Sequence, residues 1–362
     1  MQVWADHSPD RESLENQARL RRFFSDKRVL ITGAAGSVGS ALCEALARIG
    51  CAHLAMLDQF DHGLLDIVER VLRLDPALET TEALCDIRDR GRLDVWMARI
   101  APDIVIHAAA LKHVHLGERH PVECVLTNLV GVRNTLAAAA AAGAKEFVLV
   151  SSDKAASPVC VMGATKRLAE LFLLGFHRER GAEIQLKAVR FGNVLGSQGS
   201  VAPRFAAQIA AGGPLEVTHP EMQRFFMSSE EAVGLVLGVT ALEDPSAGRA
   251  GAYYMEMGEP VSILEFGRQL IADSGKDIEI IFTGLRSGEK LKEELYDGYE
   301  SASPCALTNV FRVEPISPDA YVSSADVAQL ENISRTLDDA LVRQRVFAFL
   351  DARLGRFEQA VG

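Results

Sequence analysis

The segment RVLITGAAGSVG, residues 28–39, places a short apolar run directly before three glycines that recur at every third position. The run RVLIT is typical of a buried strand, and a helix is predicted from about Ser37. Glycines at this junction allow a tight turn and a close approach of the backbone to a pyrophosphate, which helix N-terminal amides can bind. The three glycines are Gly33, Gly36 and Gly39. The segment therefore predicts a strand, a dinucleotide-binding turn and a helix.

The same alternation of apolar runs and helical segments continues along the chain. Further apolar runs, AHLAML, EALCDI, DIVIHAAA and EFVLVSS, alternate with helical periods. Alternation of this kind is typical of βαβ units, whose helices cover both faces of a parallel sheet. We therefore predict the α/β class, with a doubly wound Rossmann-type parallel sheet.

The second predicted strand ends in Asp58, 25 residues after Gly33. A carboxylate there can accept hydrogen bonds from the adenosine ribose and would repel a 2′-phosphate, so NAD is predicted rather than NADP. Asp86, at the end of the third predicted strand, is expected to face the adenine. The small residues of HAAA lie where a chain must pass close to the cofactor. The remaining residues assigned to the cofactor are Ser37, Val38, Ile87, Ala108 and Ala109.

Beyond IQLKAVRFGNVLGS the regular alternation fades, and glycine, proline and loop-like stretches increase. We expect an N-terminal helical extension over residues 1–26 and an NAD-binding Rossmann domain over 27–190. Residues 191–362 are expected to form mainly a smaller, discontinuous substrate-binding region, with some segments returning to the Rossmann domain.

The amino-acid composition excludes some classes of binding partner. The 362 residues are 48% hydrophobic and 24% charged, which suits a globular protein with a sizeable core. A net charge of −11 argues against a nucleic-acid or anionic-membrane surface, since both need a concentrated positive field. No window approaches 18 consecutive apolar residues and the first residues lack a signal-peptide core, so a cytoplasmic location is predicted. The scattered cysteines predict no metal site.

Five separated motifs between about Arg28 and Tyr296 carry a resemblance. They are AAALKHVHLGERHP, SSDKAASPVCVMGATKRLAE, VRFGNVLGSQGSVAPRF, PEMQRFFMSSEEAV and RSGEKLKEELY. With the glycine spacing, they resemble the extended short-chain dehydrogenase/reductase superfamily. More narrowly, they resemble the nucleotide-sugar 4,6-dehydratases of bacterial polysaccharide biosynthesis, the UDP-N-acetylglucosamine 4,6-dehydratase group.

The resemblance implies several properties beyond the fold. Long family members carry a membrane-spanning N-terminal region, so this sequence is expected to resemble the soluble short form. The family has branches with Tyr or Met at the position of Met162, and the Met branch is similar to enzymes that retain configuration at C5. A homo-oligomer, at least a dimer, is also implied, through two long helices near Pro121 to Ala142 and Val161 to Arg178.

The stretch VSSDKAASPVCVMGATKR, residues 150–167, carries the catalytic residues that the resemblance implies. A dehydratase needs a hydride acceptor, a group for the C4 proton, a base at C5 and an acid at C6. Asp153 matches the acid of related dehydratases and Lys154 matches the base. As a base, Lys154 needs a pKa well below about 10.4, which burial or neighbouring cations are expected to provide.

Three further residues of this stretch have implied roles. Lys166 lies one helical turn beyond position 162, and its equivalent in the superfamily holds the nicotinamide ribose. Ser152 can hydrogen-bond the C4 oxygen. Met162 has no titratable proton and is interpreted as an apolar wall against the sugar or nicotinamide. The C4 proton then goes to Asp153 or to a water held by Ser152 and Lys166, and the sequence leaves both open.

Substrate-binding residues are predicted in four of the motifs. In the family, residues equivalent to Lys112 and His113 line the sugar pocket. A nucleotide diphosphate needs converging cations, and an arginine can bind it through two parallel hydrogen bonds. The full predicted set is Lys112, His113, Asn193, Ser200, Arg204, Arg224, Arg286 and Glu289.

Two other functions remain open at this point. A nucleotide-sugar 4-epimerase shares the fold and the cofactor, but epimerases of this superfamily retain the Tyr and do not need the Asp-Lys pair. A non-catalytic NAD-binding protein is the other alternative, and the presence of Lys166 beside the substrate-like motifs argues against it.

Overall fold

The computed structural model describes residues 11–181, 183–243, 250–336 and 338–355. The strands are β1 (Arg28–Thr32), β2 (His53–Asp58), β3 (Glu79–Leu84), β4 (Ile104–His107), β5 (Glu146–Val150), β6 (Gln185–Arg190), β7 (Asn193–Val194), β8 (Leu215–Val217), β9 (Gln223–Arg224), β10 (Phe226–Met227), β11 (Gly251–Met255), β12 (Val261–Ser262), β13 (Ile280–Phe282), β14 (Glu300–Pro304) and β15 (Val310–Pro315).

The helices are α1 (Arg11–Phe24), α2 (Ser37–Ile49), α3 (Asp61–Leu74), α4 (Arg90–Ile100), α5 (Val114–Arg119), α6 (Pro121–Val125), α7 (Gly131–Ala141), α8 (Val161–Arg180), α9 (Val201–Ala210), α10 (Ser229–Thr240), α11 (Ile263–Ser274), α12 (Ser324–Thr336) and α13 (Asp339–Leu354). A π-helical turn, Leu126–Val130, joins α6 to α7, and a 3-10 turn, Asp153–Ala155, follows β5.

The main sheet has the predicted doubly wound form. Nine strands of the described residues form it in the order β14-β15-β11-β6-β5-β4-β1-β2-β3. The strands from β3 to β11 run parallel, whereas β15 pairs antiparallel with both β11 and β14. Because β1 pairs with β2 on one side and β4 on the other, the winding reverses at β1, which is where such sheets bind ligands.

The strand assignments differ from the sequence in one place. The predicted third strand, EALCDI, begins at residue 82, but β3 is Glu79–Leu84. Pairing with β2 fixes this register, since His53 lies opposite Glu79 and Asp58 opposite Leu84. Asp86 therefore lies two residues beyond the strand. A strand exposed at the edge of a sheet lacks the apolar run that marks the central strands.

The segments after β6 contribute both to the apolar clusters around the main sheet and to a smaller, separate core. Strands β11, β14 and β15 extend the main sheet, whereas α9, α11 and the short strands between them enclose a smaller apolar core. That core comprises Phe205, Ile209, Leu215, Val217, Met222, Phe226, Ile263 and Ile278. The predicted domain boundaries stay a prediction. Residues 1–10 of the predicted N-terminal extension and 356–362 of the predicted last unit lie outside the described residues.

The C-terminal helices cover the surface where a dimer was predicted. Helix α13 packs on α6 and α8, and α12 packs on the π-helical turn and α8. Their apolar side chains are buried in the same core as α8, among them Leu330, Val346 and Leu350. The apolar faces expected to meet a partner are therefore covered by the chain's own helices, and the oligomeric state stays a prediction.

Among the described residues, one helical segment has the length and composition of a membrane span. Pro121–Ala141 comprises α6, the π-helical turn and α7, and 67% of its most apolar window is buried inside the fold. Such burial is typical of a core helix. The cytoplasmic location stays a prediction.

Candidate active site

The glycine turn lies at the switch point between β1 and β4. Gly33 has φ of +69°, and a Cβ atom there would stand 2.5 Å from the backbone nitrogen of Ala109. A Cβ on Gly39 would stand 2.0 Å from the Gly33 carbonyl oxygen. Only glycine permits this packing of turn, helix and the chain after β4. The backbone of Ala108 and Ala109 thus packs directly against the glycine turn.

Asp58 stabilises the glycine turn directly. Its Oδ2 accepts a hydrogen bond of 2.9 Å from the Ala35 amide, and its Oδ1 accepts one of 3.0 Å from the Phe60 amide. The carboxylate therefore lies at the carboxyl end of β2, beside the turn. This position is compatible with a ribose contact.

Three other predicted cofactor residues have structural partners. Arg88 binds both oxygens of Asp86, with contacts of 2.6 to 3.0 Å. Burial alone would raise the pKa of Asp86, but Arg88 outweighs it and lowers the pKa. The Ile87 side chain packs against Gly131, and Val38 packs partly buried against the core.

Asp153 and Lys154 lie in the 3-10 turn Asp153–Ala155 that follows β5, and Ser152 caps this turn. Ser152 donates a hydrogen bond of 2.9 Å to Asp153 Oδ1, and the Lys154 ammonium lies 3.0 Å from the same oxygen. The Asp153 side chain is fully buried, and its Oδ2 has no hydrogen-bond partner in the described part of the chain. A buried carboxylate oxygen without a partner is costly, so it marks a place where a ligand group can bind.

The environment of Lys154 differs from the one predicted. Its ammonium also lies 3.6 Å from Glu293 Oε1. Burial alone would lower the pKa of Lys154, but the carboxylates of Asp153 and Glu293 outweigh burial and raise it, while Arg224 opposes them. The expected fall in pKa is therefore wrong for this structure, because two anions surround the amine where cations were expected.

Lys166 and Met162 lie on the first turns of α8, next to the 3-10 turn. Lys166 is buried and donates a hydrogen bond of 2.9 Å to the Val150 carbonyl. Burial lowers the pKa of Lys166 to about 8, although Glu170 and Cys124 act in the other direction. Met162 is buried in a small apolar cluster with Cys124 and Cys160. It forms part of an apolar wall beside the catalytic turn.

The loop between β7 and α9 connects predicted cofactor and substrate residues. The Gln198 amide donates a hydrogen bond of 3.1 Å to Ser37 Oγ in the glycine turn. A Cβ on Gly199 would stand 2.6 Å from the His113 ring, so the loop also contacts the segment after β4. Asn193 begins β7, and Ser200 precedes α9 with its hydroxyl oxygen buried and without a partner among the described residues.

The predicted cations separate into two groups. Arg224 lies with its Nε 4.0 Å from Glu293 Oε1, which brings it into the Lys154 cluster. Arg204 instead forms an ion pair with Glu216 on β8 and is about one-third exposed. Lys112 and Arg286 are exposed, and Glu289 accepts a hydrogen bond of 3.0 Å from the Arg286 amide. The structure therefore joins Arg224 to the catalytic turn, but not Arg204, Lys112 or Arg286.

Sequence reasoning missed three buried polar residues near the site. Glu293 is described above. Asn128, in the π-helical turn, exchanges two hydrogen bonds with the Leu111 backbone and contacts Thr165 on α8. Glu118 accepts a hydrogen bond of 2.8 Å from the Val161 amide at the start of α8. Each lies far along the chain from the group it binds, so no spacing rule could identify it.

A model of the family described as "Polysaccharide biosynthesis protein" matches residues 29–315. The probable polysaccharide biosynthesis protein EpsC of Bacillus subtilis is 37% identical over 335 residues, covering 90% of this chain and 53% of that protein. The chain spans about half the length of the curated relatives it matches first.

Relatives of similar length include two different enzymes. A UDP-glucose 4-epimerase of Rickettsia canadensis is 34% identical, covering 80% of this chain and 83% of that protein. The UDP-N-acetylglucosamine 4,6-dehydratase (inverting) of Campylobacter jejuni is 31% identical, covering 81% and 84%. Among solved structures, Pen from Bacillus thuringiensis is 31% identical with a TM-score of 0.73, covering 81% of this chain and 89% of that chain.

Proposed function

This chain belongs to the polysaccharide biosynthesis protein family, within the extended short-chain dehydrogenases/reductases, and from that premise we propose that it is an NAD-dependent nucleotide-sugar 4,6-dehydratase. This confirms the resemblance to the extended short-chain dehydrogenases/reductases of polysaccharide biosynthesis that the five motifs predicted. The proposed substrate is UDP-N-acetylglucosamine, and the product is the UDP-2-acetamido-2,6-dideoxy-4-keto-hexose. We propose retention of configuration at C5.

The ion pair between Asp153, which is fully buried, and Lys154, which is 15% exposed, is the observation that carries this proposal. Elimination of water across C5 and C6 needs one group that accepts a proton and another that donates one. The pair offers both within 3.0 Å, at the carboxyl end of β5. The unpartnered Oδ2 of Asp153 is available to a substrate group.

The cofactor would be held between the glycine turn and α8. Gly33, Gly36 and Gly39 would give the pyrophosphate access to the backbone, Asp58 would bind the adenosine ribose, and Lys166 would hold the nicotinamide ribose. NAD bound there supplies a hydride acceptor for C4 and a hydride donor for C6. The tight packing of Gly33 on Ala109 supports this placement, since any larger residue would close the turn.

The names of the relatives do not distinguish a dehydratase from a 4-epimerase, because both occur at similar identity. The site favours the dehydratase. An epimerase returns the hydride to C4 and does not need a proton acceptor and donor for elimination. Met162 also lacks the titratable proton of the Tyr that the family resemblance implies for epimerases.

The proposal is tested by incubating the purified chain with UDP-N-acetylglucosamine in deuterated water and following the sugar by proton NMR and mass spectrometry. We expect a new C6 methyl group with one solvent deuterium at C5, a C4 ketone, and no net consumption of NAD. Retention or inversion is read from a parallel incubation in ordinary water, in which C5 keeps a proton and chemical reduction of the C4 ketone restores an H4–H5 coupling.

Two outcomes would overturn the proposal. A C4 epimer formed without loss of water would identify an epimerase. Substrate that binds and returns unchanged would exclude UDP-N-acetylglucosamine as the substrate. Asp153→Asn tests whether the signal comes from this site. It keeps the size of the side chain but removes the charge, and we expect it to abolish the methyl signal while NAD binding remains.

A further inference from the structure

Glu118 lies on α5, in one of the five motifs, at a position to which no role was assigned. Its side chain is only 7% exposed, and both carboxylate oxygens are bound. Oε1 accepts a hydrogen bond of 2.8 Å from the Val161 amide at the start of α8. Oε2 accepts one of 3.2 Å from the Ser287 hydroxyl and one of 3.0 Å from Arg343 Nε on α13. A single carboxylate thus joins three segments that are far apart in the chain.

The RSGEK loop, residues 286–290, packs onto the start of α8. Gly288 has φ of +79°, and a Cβ atom there would stand 2.7 Å from Cys160 Cβ, so only glycine allows this contact. Lys290 donates a hydrogen bond of 3.0 Å to the carbonyl of Ala156, the residue that follows the 3-10 turn after β5. The second half of the loop is therefore fixed beside the catalytic turn.

The first half of the loop is exposed. Arg286 and Ser287 face solvent, as do Gly284 and Leu285 before them. Gly284 has φ of +81°, and a Cβ atom there would meet no atom within 4 Å. Burial contributes little to the order of such a segment. A hydrogen bond to a charged acceptor is stronger than one between neutral groups, so the bond from Ser287 to the buried carboxylate is suited to anchor this half.

Arg343 orients the same carboxylate from the other side. Its guanidinium lies 5.0 Å from the ring centroid of Phe347, one turn further along α13. The start of α13 is bound to α6, since the Val122 amide donates a hydrogen bond of 3.3 Å to Asp339. Without Arg343, the Glu118 charge would keep only two neutral donors. The C-terminal helix α13 therefore contributes to the position of Glu118.

We propose that Glu118 is a positioning residue that fixes the RSGEK loop to the start of α8, with Arg343 fixing Glu118 in turn, so that Arg286 is presented to the nucleotide diphosphate of the substrate. The inference rests on the proposed function for the identity of that substrate. Glu118 acts through the loop, so it sets the affinity for the nucleotide and leaves the chemistry at the catalytic turn unchanged.

The first test measures UDP binding by isothermal titration calorimetry in the complete chain loaded with NAD. Glu118→Gln keeps an oxygen for the Val161 amide but removes the charge that binds Ser287 and Arg343. We expect UDP affinity to fall by about 5- to 30-fold in Glu118→Gln and in Ser287→Ala, because each loses a hydrogen bond to a charged group. NAD affinity should not change. The double variant should bind UDP about as weakly as either single variant, because both changes remove the same contact.

Matched variants control for the loss of charge. Arg343→Met should weaken UDP binding in the same direction as Glu118→Gln, whereas Arg345→Met, which changes an exposed arginine of the same helix, should not. Glu294→Gln removes an exposed carboxylate and should also leave UDP affinity unchanged. In turnover assays of Glu118→Gln, we expect KM for the nucleotide sugar to rise with the UDP dissociation constant, while kcat stays within about threefold of wild type.

A second test needs neither ligand nor activity. Limited digestion with trypsin, read by mass spectrometry, reports cleavage after Arg286. Its rate follows the fraction of molecules in which the loop has left Glu118. We expect faster cleavage after Arg286 in Glu118→Gln and Ser287→Ala, and an unchanged rate in Arg345→Met. If cleavage accelerates in this way while the wild type binds no UDP, the positioning of the loop by Glu118 stands and the proposed function fails.

Three results would overturn the inference. Unchanged cleavage after Arg286 and unchanged UDP affinity in Glu118→Gln would show that the loop does not depend on this carboxylate. Additive losses in the double variant would show that Glu118 and Ser287 act independently. Equal losses of UDP and NAD affinity, with a lower midpoint of thermal unfolding, would leave Glu118 only a structural role at the start of α8.

Discussion

Lys154 and Lys166 lie on neighbouring elements at the same edge of the sheet, yet their surroundings shift their pKa values in opposite directions. Burial acts to lower both. For Lys154, Asp153 and Glu293 outweigh burial and raise the pKa. For Lys166, the direct partner is a backbone carbonyl, and the pKa falls to about 8. Nearby Glu170 has its oxygens bound to Ser151 and Arg190.

The comparison shows that burial alone does not decide whether the pKa of a lysine falls. The charge of the groups that face the amine decides the direction of the shift. Lys154 therefore keeps its charge to higher pH, whereas Lys166 is a cation that a modest rise in pH can neutralise.

Replacement of each lysine by methionine is expected to have the largest effect of the changes considered. It should also separate the roles of the two lysines. Lys154→Met removes a group that transfers a proton, so we expect turnover to fall by about 10²- to 10⁴-fold while NAD affinity stays close to wild type. Lys166→Met should instead weaken NAD binding. Turnover assays and NAD titration measure both effects.

Lys292→Met is the matched control, because Lys292 is exposed on the segment that carries Glu293. It should change neither quantity. The comparison breaks down if Lys154→Met keeps turnover within tenfold of wild type, or if both active-site variants lose NAD affinity equally.

Stability should depend on pH with opposite signs for the two lysines. Lys166 titrates at about 8 in the folded chain but near 10.5 when unfolded, so the unfolded chain binds more protons between these values. The free energy of unfolding therefore rises with pH in this window, by up to about 3 kcal/mol relative to Lys166→Met. The stabilisation from Lys154 is fully present below pH 10.5 and is lost as pH rises through its raised folded pKa.

Urea unfolding of wild type and Lys166→Met across this pH range measures the first effect. If the free energies of unfolding of the two proteins change in parallel with pH, Lys166 keeps its proton in the folded state.

Gly163, on the first turn of α8, packs against the backbone of Lys154, and Lys166 follows on the same helix. A Cβ atom there would stand 2.2 Å from the Lys154 carbonyl oxygen, so Gly163→Ala must push α8 away from the catalytic turn. Overpacking of this kind costs about 1 to 3 kcal/mol in stability, measured by urea unfolding. Gly234→Ala on α10 is the control, because its Cβ would meet no atom within 4 Å and should not destabilise the fold. Equal stability of the two variants would contradict the close contact.

Met162→Leu should have the smallest effect. Methionine and leucine have similar volumes, and such exchanges usually cost less than about 1.5 kcal/mol. Since Met162 has no proton to transfer, turnover should stay within a few-fold of wild type in the NMR assay. A large loss of turnover with unchanged stability would mean that the thioether itself takes part in the reaction.

Much of the fold was predictable because its signals are local. The run RVLIT and the glycines at 33, 36 and 39 specify a strand, turn and helix within 12 residues, and the structure places them as predicted. The edge strand β3 was misplaced, since pairing with β2 decides its register. The cover of α12 and α13 over α8 was missed, because an amphipathic helix shows which face is apolar but not what covers that face.

The sequence by itself determined the doubly wound sheet, the dinucleotide turn and the family, since each depends on residues close together in the chain or on motifs that keep their spacing. It also brought Asp153, Lys154, Met162 and Lys166 into one candidate site. Only the tertiary structure decided the charge of that site. The sign of a pKa shift depends on which groups lie within a few ångströms, and Glu293 reaches Lys154 through folding of a segment far along the chain.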